Sequence, residues 1–415
     1  ASISPMFHKF EQTINDLSQG TVGNFCMRCH SGVGSAMGEA REAPLWERKA
    51  VSREGVTCIS CHRVNEEYGR VNGERRIVPG DIHQPVYGPT TGEVLEEVIK
   101  NKSFHKVAFD PTERGTKIHA KAIQFKPIST SEFCLSCHQV AVHPGIKLEV
   151  VWDQYRASPA VRKGVSCLAC HMGAVPGVAG EFEKAPAAIV NGQAINPERK
   201  HANHSFYGPG YPIAHPGVFP HHPDNERFPM EDWLKFDYRS GWGTQEFEDK
   251  VASGDLKVDF PPEWSDRFDR EEARQIIETN LERLEKKREL RRQVMENGSK
   301  IEGPFLKGVP RAGKKLRFTY KIINLNPGHN LPSGSLGAQP EIWLNVALID
   351  PDGKNVWESG YVDSHGDMAD LHSLDVAAGK IKHDGQLFNL QTKFLTTNVK
   401  GTDREMYLPI NFDID

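Results

Sequence analysis

Eight cysteines and four of the eighteen histidines of this 415-residue chain fall into one repeated pattern. Each copy reads Cys-x-x-Cys-His, and the four copies begin at Cys26, Cys58, Cys134 and Cys167. In this pattern two thiols form thioethers with one porphyrin edge and the next histidine binds the iron. A disulfide framework would not require the histidine, and a zinc site would usually join two cysteine pairs. We therefore predict four covalently attached haems c.

The predicted cofactor-binding residues are all eight cysteines: Cys26, Cys29, Cys58, Cys61, Cys134, Cys137, Cys167 and Cys170. The predicted proximal iron ligands are the histidines that end the motifs: His30, His62, His138 and His171. Thioethers form from reduced thiols outside the cytoplasmic membrane, so we expect an exported protein in the periplasm or at the cell surface. The chain begins without methionine, as expected if an export signal has been removed.

The spacing of the motifs indicates an internal duplication. Their first cysteines are 32, 76 and 33 residues apart, which predicts two di-haem modules at about 20–65 and 130–175 with closely stacked haems. A phenylalanine precedes the first motif of each module, Gly-Val-Thr or Gly-Val-Ser precedes the second, and Trp46 and Trp152 lie between the motifs. Apolar residues are sparse between 60 and 130, so we expect porphyrins to supply the missing apolar core.

Each iron also needs a sixth ligand, or else leaves an open site. Fourteen histidines lie outside the motifs, whereas none of the eight methionines recurs at a fixed offset from them. We therefore predict bis-histidine ligation, which gives lower reduction potentials than methionine ligation. For any single histidine the alternative is an ordinary surface position.

Residues 20–210 resemble the multihaem cytochromes of the cytochrome c554, hydroxylamine oxidoreductase and pentahaem nitrite reductase superfamily. Residues 132–138 and 164–172 carry the resemblance, and residues 204–208, His-Ser-Phe-Tyr-Gly, are similar to the family's H-x-F-x-G distal segment. The resemblance implies that His204 and His119 are distal ligands, and His8 matches an early family histidine by position. His143 is our fourth distal candidate. The reserves are His83, His215, His222 and His329.

The chain departs from the enzymes of that superfamily. It lacks a Cys-x-x-Cys-Lys motif, which marks the catalytic haem of the nitrite reductases, and it has four motifs where hydroxylamine oxidoreductases have eight. The resemblance therefore favours an electron carrier of the cytochrome c554 kind.

The predicted fold is a haem-rich domain of loops and short helices, one long helix and a C-terminal β-sandwich. We assign 1–230 to the tetrahaem domain, 231–299 to a helical segment and 300–415 to an immunoglobulin-like β-domain that is incomplete at its end. Helical spacing of apolar residues predicts a helix over 265–297, capped by Ser265 or Asp266. Its many charges indicate a solvated face, or alternatively a docking face.

Period-two alternation after 300 predicts strands, with a hairpin turn at 350–353. Residues 328–334, Gly-His-Asn-Leu-Pro-Ser-Gly, resemble a loop of β-domains appended to multihaem cytochromes. In that loop His329 either binds an iron or braces the loop. Asp363, Asp367 and Asp370 either bind calcium or form a polar loop.

The composition is that of a soluble globular protein, with 38% hydrophobic and 26% charged residues. A net charge of −4 offers no basic field for nucleic acid, and no apolar run is long enough to span a membrane. We predict electron transfer between redox partner proteins, with self-association into a filament or a larger complex. The alternative is an enzyme with one open haem iron that acts on a small nitrogen or sulfur compound.

Overall fold

A computed structural model describes residues 2–67, 71–142, 146–180, 182–208, 210, 213–219, 223–325, 328–333, 341–391, 395–396 and 406–407. Contacts divide the chain into two compact units, Ala1–Val140 with Pro159–Gly328, and Ala141–Ser158 with His329–Asp415. All four Cys-x-x-Cys-His motifs belong to the first unit. These two units do not have boundaries at 230 and 299. The three predicted domains, 1–230, 231–299 and 300–415, therefore stay a prediction.

Short helices joined by loops make up most of the first unit as far as residue 171. The helices up to that point are α1 Pro5–Leu17, α2 Met27–His30, α3 Gly32–Ala36, α4 Ala50–Arg53, α5 Ile59–His62, α6 Glu93–Lys100, α7 Lys102–His105, α8 Leu135–His138, α9 Val151–Ala157 (in the second unit), α10 Pro159–Arg162 and α11 Cys167–His171. Helices α2, α5, α8 and α11 are the four motifs, each about one helical turn long.

The strands of the first half of the chain are equally short. They are β1 Val86–Gly88, β2 Val107–Ala108, β3 Thr116–Lys117, β4 Ala122–Gln124, β5 Val140–Val142, β6 Ile146–Glu149, β7 Glu183–Ala185, β8 Ile189–Val190, β9 Gln193–Ala194 and β10 Arg199–His201. They pair two by two, as β1 with β4, β2 with β3, β5 with β6, β7 with β10 and β8 with β9. Such pairs hold loops together and do not build a sheet core.

The principal apolar core of the described residues lies after the motifs. It includes side chains from three helices, α12 Met230–Lys235, α13 Gln245–Ser253 and α14 Arg267–Gly298. Its buried members are Val218, Trp233, Phe236, Trp242, Phe247, Trp264, Ala273, Ile276 and Ile277. Within it the Arg270 guanidinium pairs with the Glu248 carboxylate at 2.5 Å, and both side chains are almost fully buried.

The long helix predicted over 265–297 is confirmed as α14. The Asp266 carboxylate accepts hydrogen bonds from the backbone N–H of Phe268 at 2.7 Å and of Asp269 at 3.3 Å, so the second of the two predicted caps is used. No described helix has the length and apolarity needed to cross a bilayer.

The remaining elements are β11 Ser299–Leu306, β12 Phe318–Asn324, β13 Glu341–Leu344, β14 Val346–Ile349, β15 Asn355–Ser359, α15 Leu374–Ala377, β16 Phe388–Gln391, β17 Leu395–Thr396 and β18 Met406–Tyr407. They pair as β11 with β12, β13 with β16, β14 with β15 and β17 with β18. The hairpin turn predicted at 350–353 is confirmed between β14 and β15, where Gly353 donates to the Asp350 carbonyl at 3.0 Å. The described ladders are two-stranded, and the complete sandwich stays a prediction.

Candidate functional site

Each Cys-x-x-Cys-His motif folds as one helical turn, so its two thiols and its imidazole lie on neighbouring positions. The N–H of His30, His62 and His138 donates to the carbonyl of the first cysteine of its own motif, at 3.1, 2.8 and 3.1 Å. In the fourth motif, the Ser166 hydroxyl caps α11 by accepting from the Ala169 N–H at 3.2 Å. All eight cysteines are described, and none of them forms a disulfide.

The four motifs lie together, and we call residues 26–30, 58–62, 134–138 and 167–171 the motif cluster. A hydrogen bond with the Cys137 thiol, reinforced by burial, raises the pKa of the Cys29 thiol and joins the first motif to the third. A hydrogen bond with the Cys167 thiol likewise raises the pKa of Cys134 and joins the third motif to the fourth. The third motif therefore contacts a motif of each predicted module.

Backbone carbonyls orient two of the motif imidazoles. His62 Nδ1 lies 2.8 Å from the carbonyl oxygen of Tyr87, at the centre of β1. His171 Nδ1 is hydrogen-bonded to the carbonyl of Tyr207. An imidazole that donates its Nδ1 proton to a carbonyl keeps the lone pair on Nε2, the arrangement that metal-ligating histidines use. Both residues therefore carry the lone pair on Nε2.

The predicted distal ligand His204 lies beside the second motif. Its ring centroid is 6.2 Å from that of His62, with 38° between the ring planes. Two imidazoles on opposite sides of one metal, each with a metal–nitrogen bond of about 2 Å, would have centroids roughly 6 Å apart. Burial, and after it the neighbouring His62, lowers the pKa of His204. His204 is therefore neutral at physiological pH, as a metal ligand must be.

The first motif packs beside helix α1. Burial lowers the pKa of His30 to about 4. The Phe7 ring of α1 packs against His30, with 4.7 Å between the ring centroids. The neutral imidazole of His30 and the two thiols of its motif fit the predicted haem.

His8, the early distal candidate, is fully buried on the same helix as Phe7. Its Nε2 lies 2.8 Å from the carbonyl oxygen of Ser2, and burial lowers its pKa. Its helix therefore packs beside the first motif, while its Nε2 is held by the backbone.

His119 and His83 each contact the backbone carbonyl of the residue that precedes the other. His119 Nδ1 lies 2.6 Å from the Ile82 carbonyl oxygen, and His83 Nδ1 lies 3.1 Å from that of Ile118. Each ring thus has the same Nδ1 arrangement as His62. Over the described residues, neither ring stacks on a motif histidine, so the assignment of His119 as a distal ligand stays a prediction.

Two of the reserve ligands are bound elsewhere. His215 is buried, with Nε2 3.0 Å from the Phe236 carbonyl oxygen and Nδ1 accepting from the Gly217 N–H at 3.2 Å. Both ring nitrogens are therefore used by the backbone. His329 Nδ1 lies 2.9 Å from the Asn330 carbonyl oxygen, and the Gln154 side chain accepts from the Asn330 N–H at 3.1 Å. These contacts favour the loop-bracing alternative for His329.

His143 and His222 lie outside the described residues.

The calcium alternative in the second unit has less support than the polar loop. The Asp363 carboxylate accepts from the N–H of His365 and Asp367 at 2.8 and 2.9 Å, and from the Ser373 hydroxyl at 2.7 Å. Within the described ranges, no group of three or more histidine, cysteine or acidic side chains is arranged to hold a metal ion.

Sequence reasoning missed two cations that contact the site. Lys287 of α14 donates to the carbonyls of Ser205 and Phe206, at 2.9 and 3.2 Å, directly after His204. Arg75 contacts the second and third motifs. Neither residue belongs to a motif, and their contacts bridge long stretches of sequence, so no local pattern signals them.

No protein-family model, curated protein or solved structure matches this chain. The resemblance to the multihaem superfamily therefore depends on the motifs and their spacing alone.

Proposed function

We propose that this protein is an electron-transfer cytochrome that carries four covalent haems c. The observation that carries the proposal is the motif cluster itself, in which four Cys-x-x-Cys-His turns lie together and two of their imidazoles present Nε2. Clustering supports transfer between haems, because one-electron transfer needs neighbouring cofactors. The iron supplies the redox chemistry, and the protein supplies ligands, spacing and burial.

The proposal gives each group of residues a role in holding the haems. The eight motif cysteines tether the porphyrins, and His30, His62, His138 and His171 serve as proximal ligands. His204 is the distal ligand opposite His62, supported by the 6.2 Å between their ring centroids. The backbone carbonyls of Tyr87 and Tyr207 hold the tautomers of His62 and His171. His8, His119 and His143 are the proposed distal ligands of the other haems.

The small number of large apolar side chains buried around the motifs also supports the proposal. The buried aromatic core lies in residues 218–277, whereas the described residues of the motif region bury few large apolar side chains. Porphyrins would add the missing apolar surface. We further propose that the protein is exported, exchanges electrons with redox partner proteins, and self-associates or joins a larger complex.

The test uses the full chain, matured in a host that attaches haem c outside the cytoplasm. We expect a low-spin ferric spectrum, no cyanide binding, and reversible uptake of four electrons per chain in a potentiometric titration. A stoichiometric high-spin fraction that binds cyanide would favour the enzyme with one open iron. Uptake of fewer than four electrons by fully matured protein would contradict the proposal.

A further inference from the structure

A short loop segment, Asn72–Arg75, connects three of the four motifs, and we call it the hub segment. The Asn72 N–H donates to the Gln139 carbonyl at 3.1 Å, and the Gly73 N–H donates to the Ser136 carbonyl at 2.5 Å. The backbone of the hub segment is thereby joined to the third motif.

Gly73 also lies against the first motif. Its φ is +64°, and a Cβ at this position would lie 2.8 Å from Cys29 Sγ and 2.7 Å from Arg28 Cβ. A side chain would collide with the attachment thiol, so the close approach requires glycine.

Arg75 ends the hub segment and bridges the second and third motifs. Its Nη2 donates to Ser136 Oγ at 2.6 Å and to the Phe133 carbonyl at 2.8 Å, on the third motif and the residue before it. Its Nη1 donates to the Ser60 carbonyl at 3.3 Å and lies 3.7 Å from Cys61 Sγ, both in the second motif. The guanidinium also stacks on the Phe133 ring, 4.4 Å from its centroid.

The charge of Arg75 lies between the second and third motifs. Its guanidinium is 3.7 Å from Cys61 Sγ and 2.6 Å from Ser136 Oγ, beside Cys137. A guanidinium stays protonated at every physiological pH, so this charge is permanent. Its planar fork, bonded on several sides, also fixes its position, which a lysine ammonium would not do equally well.

We infer that Arg75 is a positioning residue that sets the spacing of the second and third motifs and raises the reduction potential of the haems tethered there. The inference deepens the proposed function and depends on it. Reduction adds an electron to a site, and a fixed positive charge nearby favours the reduced form. Hydrogen bonds and charges around the attachment sites are among the means by which proteins tune haem potentials. Since Arg75 joins the two predicted modules, it governs electron exchange between them.

The test compares Arg75→Gln and Arg75→Lys in the haem-loaded full chain. Arg76→Gln is the matched control, because Arg76 is the next residue, is exposed, and forms a surface ion pair with Glu66 at 3.5 Å. We expect R75Q to bind four haems and to lower one or two of the four midpoint potentials. The expected size is a tenfold change in equilibrium between the affected and the unaffected haems, which is about 59 mV for a one-electron couple.

R75K should recover most of the potential, because it restores the charge, and R76Q should match the natural protein. Unchanged potentials in a four-haem R75Q protein would overturn the inference, as would an equal fall in R75Q and R76Q. If R75Q fails to bind four haems while R75K and R76Q succeed, the charge is required to assemble the cluster and the inference stands. If the natural chain itself binds no haem, the proposed function fails, and the two failures are therefore distinguishable.

Discussion

Removal of the His204 imidazole should open one iron out of four. Among the predicted distal ligands that the structure describes, only His204 has a ring contact with a motif histidine, with its centroid 6.2 Å from that of His62. If the pair shares one iron, His204→Ala leaves that iron with His62 alone and changes no other haem. One quarter of the haem irons, which is one site per chain, should therefore lose a ligand.

His201 provides a matched control. It lies three residues earlier, its ring centroid is 6.1 Å from that of His204, and its Nδ1 faces the Glu183 carboxylate at 3.9 Å. His201→Ala therefore removes a neighbouring imidazole that is directed toward a carboxylate. We expect this variant to keep four low-spin haems.

The assay is quantitative electron paramagnetic resonance of the ferric protein, together with carbon monoxide binding to the reduced protein. H204A should show one high-spin iron and bind one carbon monoxide per chain, whereas the natural protein and H201A should bind none. His204→Met should keep that haem low-spin and raise its midpoint potential, since a thioether ligand favours ferrous iron. A fully low-spin H204A protein that binds no carbon monoxide would refute the assignment, and equal carbon monoxide binding by H201A would refute its specificity.

Three further predictions concern other parts of the chain. Lys287→Met should shift the resonance signals of two haems, because Lys287 holds the segment that carries both His204 and the Tyr207 carbonyl. Arg270→Met should lower the free energy of unfolding by about 3–5 kcal/mol in chemical denaturation, because it leaves the Glu248 carboxylate buried without its partner. Burial raises the pKa of Glu149 from 4.5 to about 7, so the folded chain binds more protons than the unfolded chain between these values, and stability should fall as the pH rises through them. Glu149→Gln should remove that dependence of the thermal midpoint.

Each of these predictions has a control or a contrary outcome. The exposed Lys286→Met should leave all four haem signals unchanged, and identical spectra for K286M and K287M would contradict the role given to Lys287. Arg267 forms a partly exposed ion pair with Glu271 at 2.7 Å. Arg267→Met should therefore lower the free energy of unfolding by at most about 1 kcal/mol. A thermal midpoint with the same pH profile in E149Q and the natural protein would contradict the account of Glu149.

Local patterns predicted the features whose causes are local. The Cys-x-x-Cys-His turns need only one helical turn each, and helix α14 is specified by its Asp266 cap and by apolar residues at helical spacing. The turn at 350–353 follows from residues that favour tight turns. His204 came from the resemblance, and the structure sets its ring centroid 6.2 Å from that of His62.

The remaining features depend on contacts between distant residues, which no local pattern encodes. Spacing indicated pairs within each module, and the contact of Cys134 with Cys167 lies within the second module, whereas the contact of Cys29 with Cys137 joins the two modules. Lys287 reaches the carbonyl of Ser205 across 82 residues of sequence. The sequence could not show that His215 uses both ring nitrogens on backbone groups, because those groups come from a turn and a helix end.

The central claim is tested most directly by mass spectrometry of the exported protein after proteolysis. Peptides that contain each of the four Cys-x-x-Cys-His motifs should each carry one haem through two thioethers, and the haem should survive extraction with acidified acetone. Motif peptides at the mass of the bare polypeptide, with free thiols or disulfides in place of thioethers, would contradict the account.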